Sequence, residues 1–265
     1  MTGNDAVARL RAAGCVFAED EARLIAEAGG GDEGRTARLL SRRIAGEPLE
    51  HVLGWAGFAG LRIPVAPGMF VPRRRTELVA SLAIALAPHG GLVVDLCCGT
   101  GAIAAAVAHA RPDLRIVAAD VDPTAVAVSA STLARFDASS LLSDLDAALG
   151  ALAGTVDVVA SCPPYVPTAE IPLMPREARD HEPTLALDGG ADGTALQRGV
   201  LAASSRLLRP GGVAIVETSE ALVELTARAA GDEGLEATVE RDEELDATVV
   251  VARRHTPTSS ASSRA

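Results

Sequence analysis

Leu92-Val93-Val94-Asp95-Leu96-Cys97-Cys98-Gly99-Thr100-Gly101 is an apolar run that breaks into a glycine-bearing turn, after which the chain resumes as the helical pattern Ala102–Ala110. Strand, tight turn and helix in that order open a doubly wound nucleotide-binding fold. Gly99 and Gly101 serve the turn, because a residue without Cβ adopts positive φ and lets backbone amides approach a ligand. A second apolar run, Leu114–Ala119, ends in Asp120, at the spacing where such folds place a carboxylate that accepts from both ribose hydroxyls. A dinucleotide fingerprint would need a further glycine three residues after Gly101, and the chain has Ala104 there. With no Lys anywhere to hold phosphates, the pattern points away from a pyrophosphate. It suits a nucleoside whose tail carries an amino acid, such as S-adenosylmethionine.

The alternation continues outward from this stretch. Strands are predicted near 91–96, 114–119, 156–161, 212–217, 234–240 and 247–253, with a weaker one near 138–142 completing seven; helices are predicted near 102–110, 123–135, 192–208 and 220–230, preceded by a helical run Thr76–Ala87. The fold class is α/β, a doubly wound sheet. Its last two strands have only Arg241–Leu245 between them, so they pair antiparallel at one edge. Asp144 follows the weak strand, where its carboxylate either accepts from an adenine amino group or caps a helix.

On the amino-terminal side, helical patterns near 5–13, 19–28 and 32–45 predict a small bundle with Leu10, Leu24, Ile25, Leu39, Leu40 and Ile44 inward. Its expected role is to cover one side of a cleft and recognise a partner. Residues Gly46–Glu77 read as a β-hairpin and linker, and Trp55, Phe58 and Phe70 mark it as either a packed joint or a pocket wall. The expected organisation is a helical bundle over 1–46, a linker over 47–75, the main domain over 76–254 and a polar, Ser-rich disordered tail over 255–265.

Charge and cysteine content narrow the partners. The 265 residues carry 24 basic groups, all Arg, against 35 acidic ones, and the net charge of −11 opposes binding to nucleic acid or an anionic membrane. Four cysteines are too few for a disulfide scaffold. No secretory leader or long apolar span is visible, so a cytoplasmic protein with reduced thiols is expected. Cys97-Cys98 lacks the partners of a zinc site, and no metal is expected.

A second constellation follows the strand at 156–161: Cys162-Pro163-Pro164-Tyr165. Consecutive prolines fix φ and leave a rigid, unbonded carbonyl at the carboxyl edge of the sheet, where the ligand lies. Tyr165, the only Tyr, either stacks on a planar substrate group or belongs to the core. The long loop Val166–Asp192, with Arg176, Arg179, His181 and Glu182, reads as a lid or as a surface excursion. Arg73-Arg74-Arg75 either steer an acidic partner or cap the following helix.

These residues carry a resemblance. From about residue 32 to 253 the chain resembles the protein-(glutamine-N5) methyltransferases, which modify the Gly-Gly-Gln loop of peptide-chain release factors or a ribosomal-protein glutamine. The shared motifs are Arg43-Ile44-Ala45-Gly46-Glu47-Pro48, Pro67 to Arg73 with Thr76-Glu77, Asp95 to Ile103, Pro163-Pro164-Tyr165, His181-Glu182-Pro183, Ala186 to Gly190 with Asp192-Gly193, and Pro210-Gly211-Gly212. The resemblance implies a Rossmann-like methyltransferase sheet and a protein substrate. It also implies contacts to S-adenosylmethionine from Phe70, Arg73, Asp95, Cys97, Cys98, Gly99, Thr100, Gly101, Asp120, Val121, Asp144, Leu145 and Cys162, and a catalytic turn of Cys162, Pro163, Pro164 and Tyr165.

Two departures stand out: Cys162 replaces the family's Asn, and Arg74-Arg75 stand where the family usually has an acid. An amide nitrogen is a poor nucleophile because its lone pair is delocalised. In the family the Asn oxygen and the next carbonyl accept the substrate's two N–H bonds and turn that lone pair toward the methyl carbon, a positioning effect worth several kcal/mol. A thiol is only a weak acceptor. Three expectations follow. Ser161, Glu182 or a rearranged loop supplies the missing acceptor; or the enzyme has another acceptor, a small molecule or another protein group; or the chain binds the cofactor without catalysis. An adenine-amino DNA methyltransferase shares the Pro-Pro-Tyr logic, but the net charge opposes it. Cys162 itself is expected to be a passive buried thiol and not a nucleophile.

Overall fold

The computed structural model describes residues 3–256. Helices α1 (Gly3–Ala12), α2 (Ala18–Gly29) and α3 (Glu33–Ile44) bury Leu10, Ile25 and Leu40 against one another, with Leu39 and Ile44 at the margin. Leu24 is only partly buried and lies outside that cluster. Asp32 starts α3 by accepting from the Arg35 amide at 2.9 Å, one of the donors a helix start leaves unsatisfied.

A short helix α4 (Leu49–Leu53) follows, inside the stretch expected to be a linker. Its five residues are too few to show a 3.6-residue period. The predicted hairpin is β1 (Trp55–Phe58) and β2 (Leu61–Pro64), antiparallel across Ala59-Gly60, both at positive φ. The aromatics of this region divide the two roles expected for them. Phe58 is fully buried with Ile63 in the main core, a joint, whereas Phe70 faces a cavity.

Helix α5 (Glu77–Leu86) leads into seven strands: β3 (Leu92–Leu96), β4 (Arg115–Asp120), β5 (Ala138–Leu142), β6 (Val156–Ser161), β7 (Leu208–Thr218), β8 (Leu235–Asp242) and β9 (Ala247–Arg254). Their order is β5-β4-β3-β6-β7-β9-β8, with the first five parallel and β9 antiparallel to both neighbours. Between the strands run α6 (Ala102–Ala110), α7 (Pro123–Leu133), α8 (Arg176–His181), α9 (Ala195–Leu207) and α10 (Val223–Asp232). One sheet face packs against α5 and α6, the other against α9 and α10. Strand β7 begins at Leu208, earlier than predicted. Val156 pairs with Leu208 but Val158 with Val213, so Pro210-Gly211-Gly212 form an irregularity inside the strand, which hid its start in the sequence.

The chain builds outward from β3 through β4 to β5, then returns to place β6 and β7 on the other side of β3. At that reversal the loops leave in opposite directions and open a crevice above the carboxyl ends of β3 and β6. From residue 257 on, the tail expected to be disordered lies outside the described residues. Among the described residues no helix is long and apolar enough to cross a membrane.

Candidate active site

The crevice holds two chambers, of about 400 and 440 Å³, that share Phe70, Cys162, Pro164 and Ala186. These four residues form a neck. The first chamber is walled by the turns after β3, β4 and β5, and the second by the turn after β6 together with α8.

In the first chamber the acid predicted at the end of β4 is held by backbone. Asp120 Oδ2 accepts from the Gly99 amide at 2.8 Å and Oδ1 from the Asp122 amide at 2.9 Å. The carboxylate is therefore fixed in place with lone pairs left over for a diol. After β5, Ser143 Oγ donates to the Leu145 carbonyl at 2.7 Å and accepts from the Ala148 amide at 3.0 Å. That turn carries Leu145 at φ 49° and brings Asp144 and Leu145 into the wall. Of the residues expected at the cofactor, Phe70, Cys97, Gly99, Asp120, Val121, Asp144, Leu145 and Cys162 line this chamber. Asp95, Cys98, Thr100 and Gly101 do not; they are buried beneath the turn. Gly101 is required by packing: a Cβ there would stand 3.0 Å from that of Ser129 on α7, at φ 76°. Arg73 lines the second chamber instead.

The residues fit S-adenosylmethionine, whose tail carries an ammonium and a sulfonium. Asp95 is fully buried and accepts the Ala104 amide at 3.0 Å through Oδ2, while Oδ1 has no hydrogen-bond partner among the described residues. Burial, seconded by the charge of Asp120 and opposed by the bond from Ala104, lifts its carboxyl to about 8. A cation held over the turn would relieve that bare, acid-flanked oxygen. Without a ligand, folding keeps a proton on Asp95 that the unfolded chain releases above its ordinary value of 3.8, so stability is lost as pH rises from about 4 to about 8. Asp95→Asn keeps the bond to Ala104 and removes the titration. Its stability relative to the parent is expected to rise with pH, by at most ~1.4 kcal/mol per unit, when urea unfolding of the ligand-free proteins is compared at pH 5 and pH 8.5. An equal difference at both values would refute the assignment.

At the neck, Cys162 Sγ receives the Thr76 hydroxyl at 3.8 Å. Burial first, and the nearby Glu217 second, push the thiol well above its usual range, so it stays protonated and is no nucleophile. His181, on the covering loop, lines neither chamber. The two side chains expected to replace the family's Asn are otherwise engaged. Ser161 is fully buried and donates to the Leu96 carbonyl at 2.7 Å. Glu182 takes the Arg73 guanidinium at 2.6 and 2.7 Å and the Val71 amide at 3.3 Å. Arg73 also lies 4.8 Å over the Phe70 ring, which fixes that wall of the neck.

Tyr165 lines the second chamber and donates its hydroxyl to Glu217 Oε1 at 2.9 Å. Glu217 is the functional candidate that sequence reasoning passed over. It ends the apolar run Val213–Val216 at the same sheet edge as Asp120, and that position was the available signal.

The loop after Tyr165 is a structured cover. It makes a 3-10 turn at Thr168–Leu173, then α8, then returns so that Val166 and Asp188 form a parallel bridge. Gly189 is needed where it passes Tyr165: a Cβ would meet the Tyr165 Cα at 2.7 Å and the Gly193 carbonyl at 2.5 Å. Arg43 ties this cover to the helical bundle. Its guanidinium bonds Glu21 at 2.6 and 3.0 Å, the Glu47 carbonyl at 3.1 Å and Glu177 of α8 at 2.6 Å.

Comparison with known proteins agrees with this architecture. Residues 61–174 match the family model of the methyltransferase small domain. The chain is 41% identical over 199 residues to the release factor glutamine methyltransferase of Streptomyces coelicolor, covering 71% of this chain and 68% of the relative. It is 37% identical over 185 residues to a 4-amino-L-phenylalanine/4-methylamino-L-phenylalanine methyltransferase of Streptomyces pristinaespiralis, covering 67% of this chain and 63% of the relative. In fold it is similar to a methyltransferase crystal structure from Pyrococcus furiosus, with a TM-score of 0.57 at 17% identity over 84% of this chain and 98% of that one.

Proposed function

The chain belongs to the release factor glutamine methyltransferase family and is an S-adenosylmethionine-dependent methyltransferase; from that premise we propose that it methylates a side-chain amide nitrogen of a protein glutamine, in the cytoplasm, with a peptide-chain release factor as the protein. The observation that carries this reading is the neck, where the turn Cys162-Pro163-Pro164-Tyr165 separates a chamber suited to the cofactor from a second one open to an acceptor.

In this reading Asp120 accepts from the ribose hydroxyls, Asp144 from the adenine amino group, and the backbone from Cys97 to Gly99 cradles the amino-acid tail. Bound there, the cofactor supplies an electrophilic methyl on sulfur. The protein's own work is positioning. The Pro163 carbonyl accepts one N–H of the acceptor nitrogen, Phe70 and Pro164 exclude water from the neck, and Tyr165, anchored on Glu217, walls the side chain that enters. In-line placement of nitrogen, methyl and sulfur is what such a site contributes to rate. The bundle α1–α3 and helix α8, joined through Arg43, form the rim that a protein partner meets.

A specific observation favours a second reading, an amine on a small molecule. Cys162 offers a weaker clamp than the family's Asn, and the relative from Streptomyces pristinaespiralis is named for an amino-acid amine. One experiment separates them. Purified protein is incubated with methyl-labelled S-adenosylmethionine and an extract of its host lacking this gene, which is then fractionated. Label on a protein, mapped by mass spectrometry to a Gln side chain, is the expected result. Label confined to small molecules would establish the second reading in its place.

A further inference from the structure

Strands β6 and β7 run parallel with Ser161 opposite Val216, so Cys162, just past the end of β6, and Glu217, still within β7 and paired with Val249 of β9, are the next neighbours. The backbone of Glu217 is pinned by Gln197, whose Nε2 donates to its carbonyl at 3.0 Å. Glu217 is 1% exposed, with Oε1 taken by Tyr165 and Oε2 without a hydrogen-bond partner among the described residues. A buried carboxylate oxygen is seldom left bare. The group beside it is the thiol of Cys162, which has one S–H to give and already receives Thr76.

Chemistry at this position has two sides. A side-chain amide would donate its N–H backward to the carboxylate and present its oxygen forward to the acceptor. A thiol divides the same way, S–H backward and sulfur lone pair forward. We propose that Glu217 is a positioning residue acting through Cys162: its free Oε2 takes the Cys162 S–H, which turns a sulfur lone pair toward the acceptor nitrogen while the Pro163 carbonyl takes that nitrogen's other N–H. The proposal rests on the reading that a nitrogen acceptor enters the second chamber. It also explains how a chain lacking the family's Asn retains a two-point grip. Giving its S–H to Oε2 fixes the orientation of the thiol, which a thiol alone does poorly. The same geometry sets specificity. Asn at position 162 would donate its Nδ2 to Oε2 and hold an amide more firmly than sulfur does.

The test joins a spectroscopic and a kinetic readout. The S–H stretching band of Cys162 is identified in the infrared by its loss in Cys162→Ala and is then compared in wild type and Glu217→Gln. In wild type it is expected at the low frequency of a thiol bonded to a carboxylate, and in Glu217→Gln near that of a free thiol. Should Glu217→Gln fail to fold, Glu217→Asp, which withdraws the carboxylate by one methylene, is expected to move the band in the same direction. With purified unmethylated release factor as acceptor, Glu217→Gln is expected to lower kcat by at least about tenfold while calorimetric affinity for S-adenosylmethionine stays within about twofold. Cys162→Asn is expected to raise kcat, and the gain is expected to vanish in Cys162→Asn/Glu217→Gln. An unmoved S–H band would overturn the proposed bond, and a moved band with unchanged kcat and KM would overturn the positioning role. Failure of wild type to methylate the release factor would strike only the acceptor reading, since the band decides the Cys162–Glu217 bond without any acceptor present.

Discussion

Asp120→Ala weakens binding of S-adenosylmethionine by about two orders of magnitude or more. The carboxylate is held by the amides of Gly99 and Asp122, so in the proposed site it meets the ribose without first giving up conformational freedom. Hydrogen bonds to a charged group are worth about 1.5–3 kcal/mol each, and two to a diol amount to at least a hundredfold in affinity at about 1.4 kcal/mol per decade. Alanine also removes the acceptor that fixes the Gly99 amide, which loosens the turn under the amino-acid tail. Asp120→Asn keeps one oxygen and falls between the two. Titration calorimetry with the cofactor alone checks this, and an Asp120→Ala affinity within threefold of wild type would remove Asp120 from the cofactor site.

The second large effect lies at the joint between the helical bundle and α8. Arg43 and Glu21 have side chains only 8% and 9% exposed, and the same guanidinium reaches the half-exposed Glu177 on α8. Arg43→Met strands a buried carboxylate, and breaking a buried pair by removing one partner costs about 3–5 kcal/mol. A lower urea midpoint is therefore expected. Arg43→Met/Glu21→Met is expected to recover most of the loss, because replacing both charges by apolar groups removes the desolvation cost as well. What it cannot recover is the tether to α8, a wall of the second chamber. The double variant should thus be stable, bind cofactor normally and show a raised KM for the acceptor. A double variant with wild-type KM would mean that the bundle stabilises the fold without shaping the acceptor site.

Much of this was legible in the sequence where a period was long enough to be read. The run Leu92–Leu96, its turn and α6 stand where predicted, and so does the closing hairpin β8–β9, because apolar strands and a short connection leave little choice. Helices α4 and α8 escaped notice, being only five and six residues long. Arg43 was recognisable as part of a motif, but nothing in its type announced burial, since an Arg is ordinarily solvated. Glu217 was hidden differently. Within a strand it resembles any residue at an apolar run's end, and its meaning comes from Tyr165 and Cys162, brought beside it only by the pairing of β6 with β7. In the sequence Gly101 reads as a turn glycine for ligand approach, whereas the contact that demands it is the close passage of α7.

The neck formed by Phe70, Cys162, Pro164 and Ala186 has a consequence for traffic through the enzyme. Each chamber has its own exposed rim, Val121 and Leu185 for the first and Arg75, Pro175 and Glu177 for the second. In the proposed arrangement neither reactant has to cross the other's path to arrive or depart. With the proposed assignment of the two chambers, turnover is expected to have no compulsory order: spent donor is exchanged for fresh while the acceptor is still gripped, so an acceptor that dissociates slowly does not hold the donor side idle.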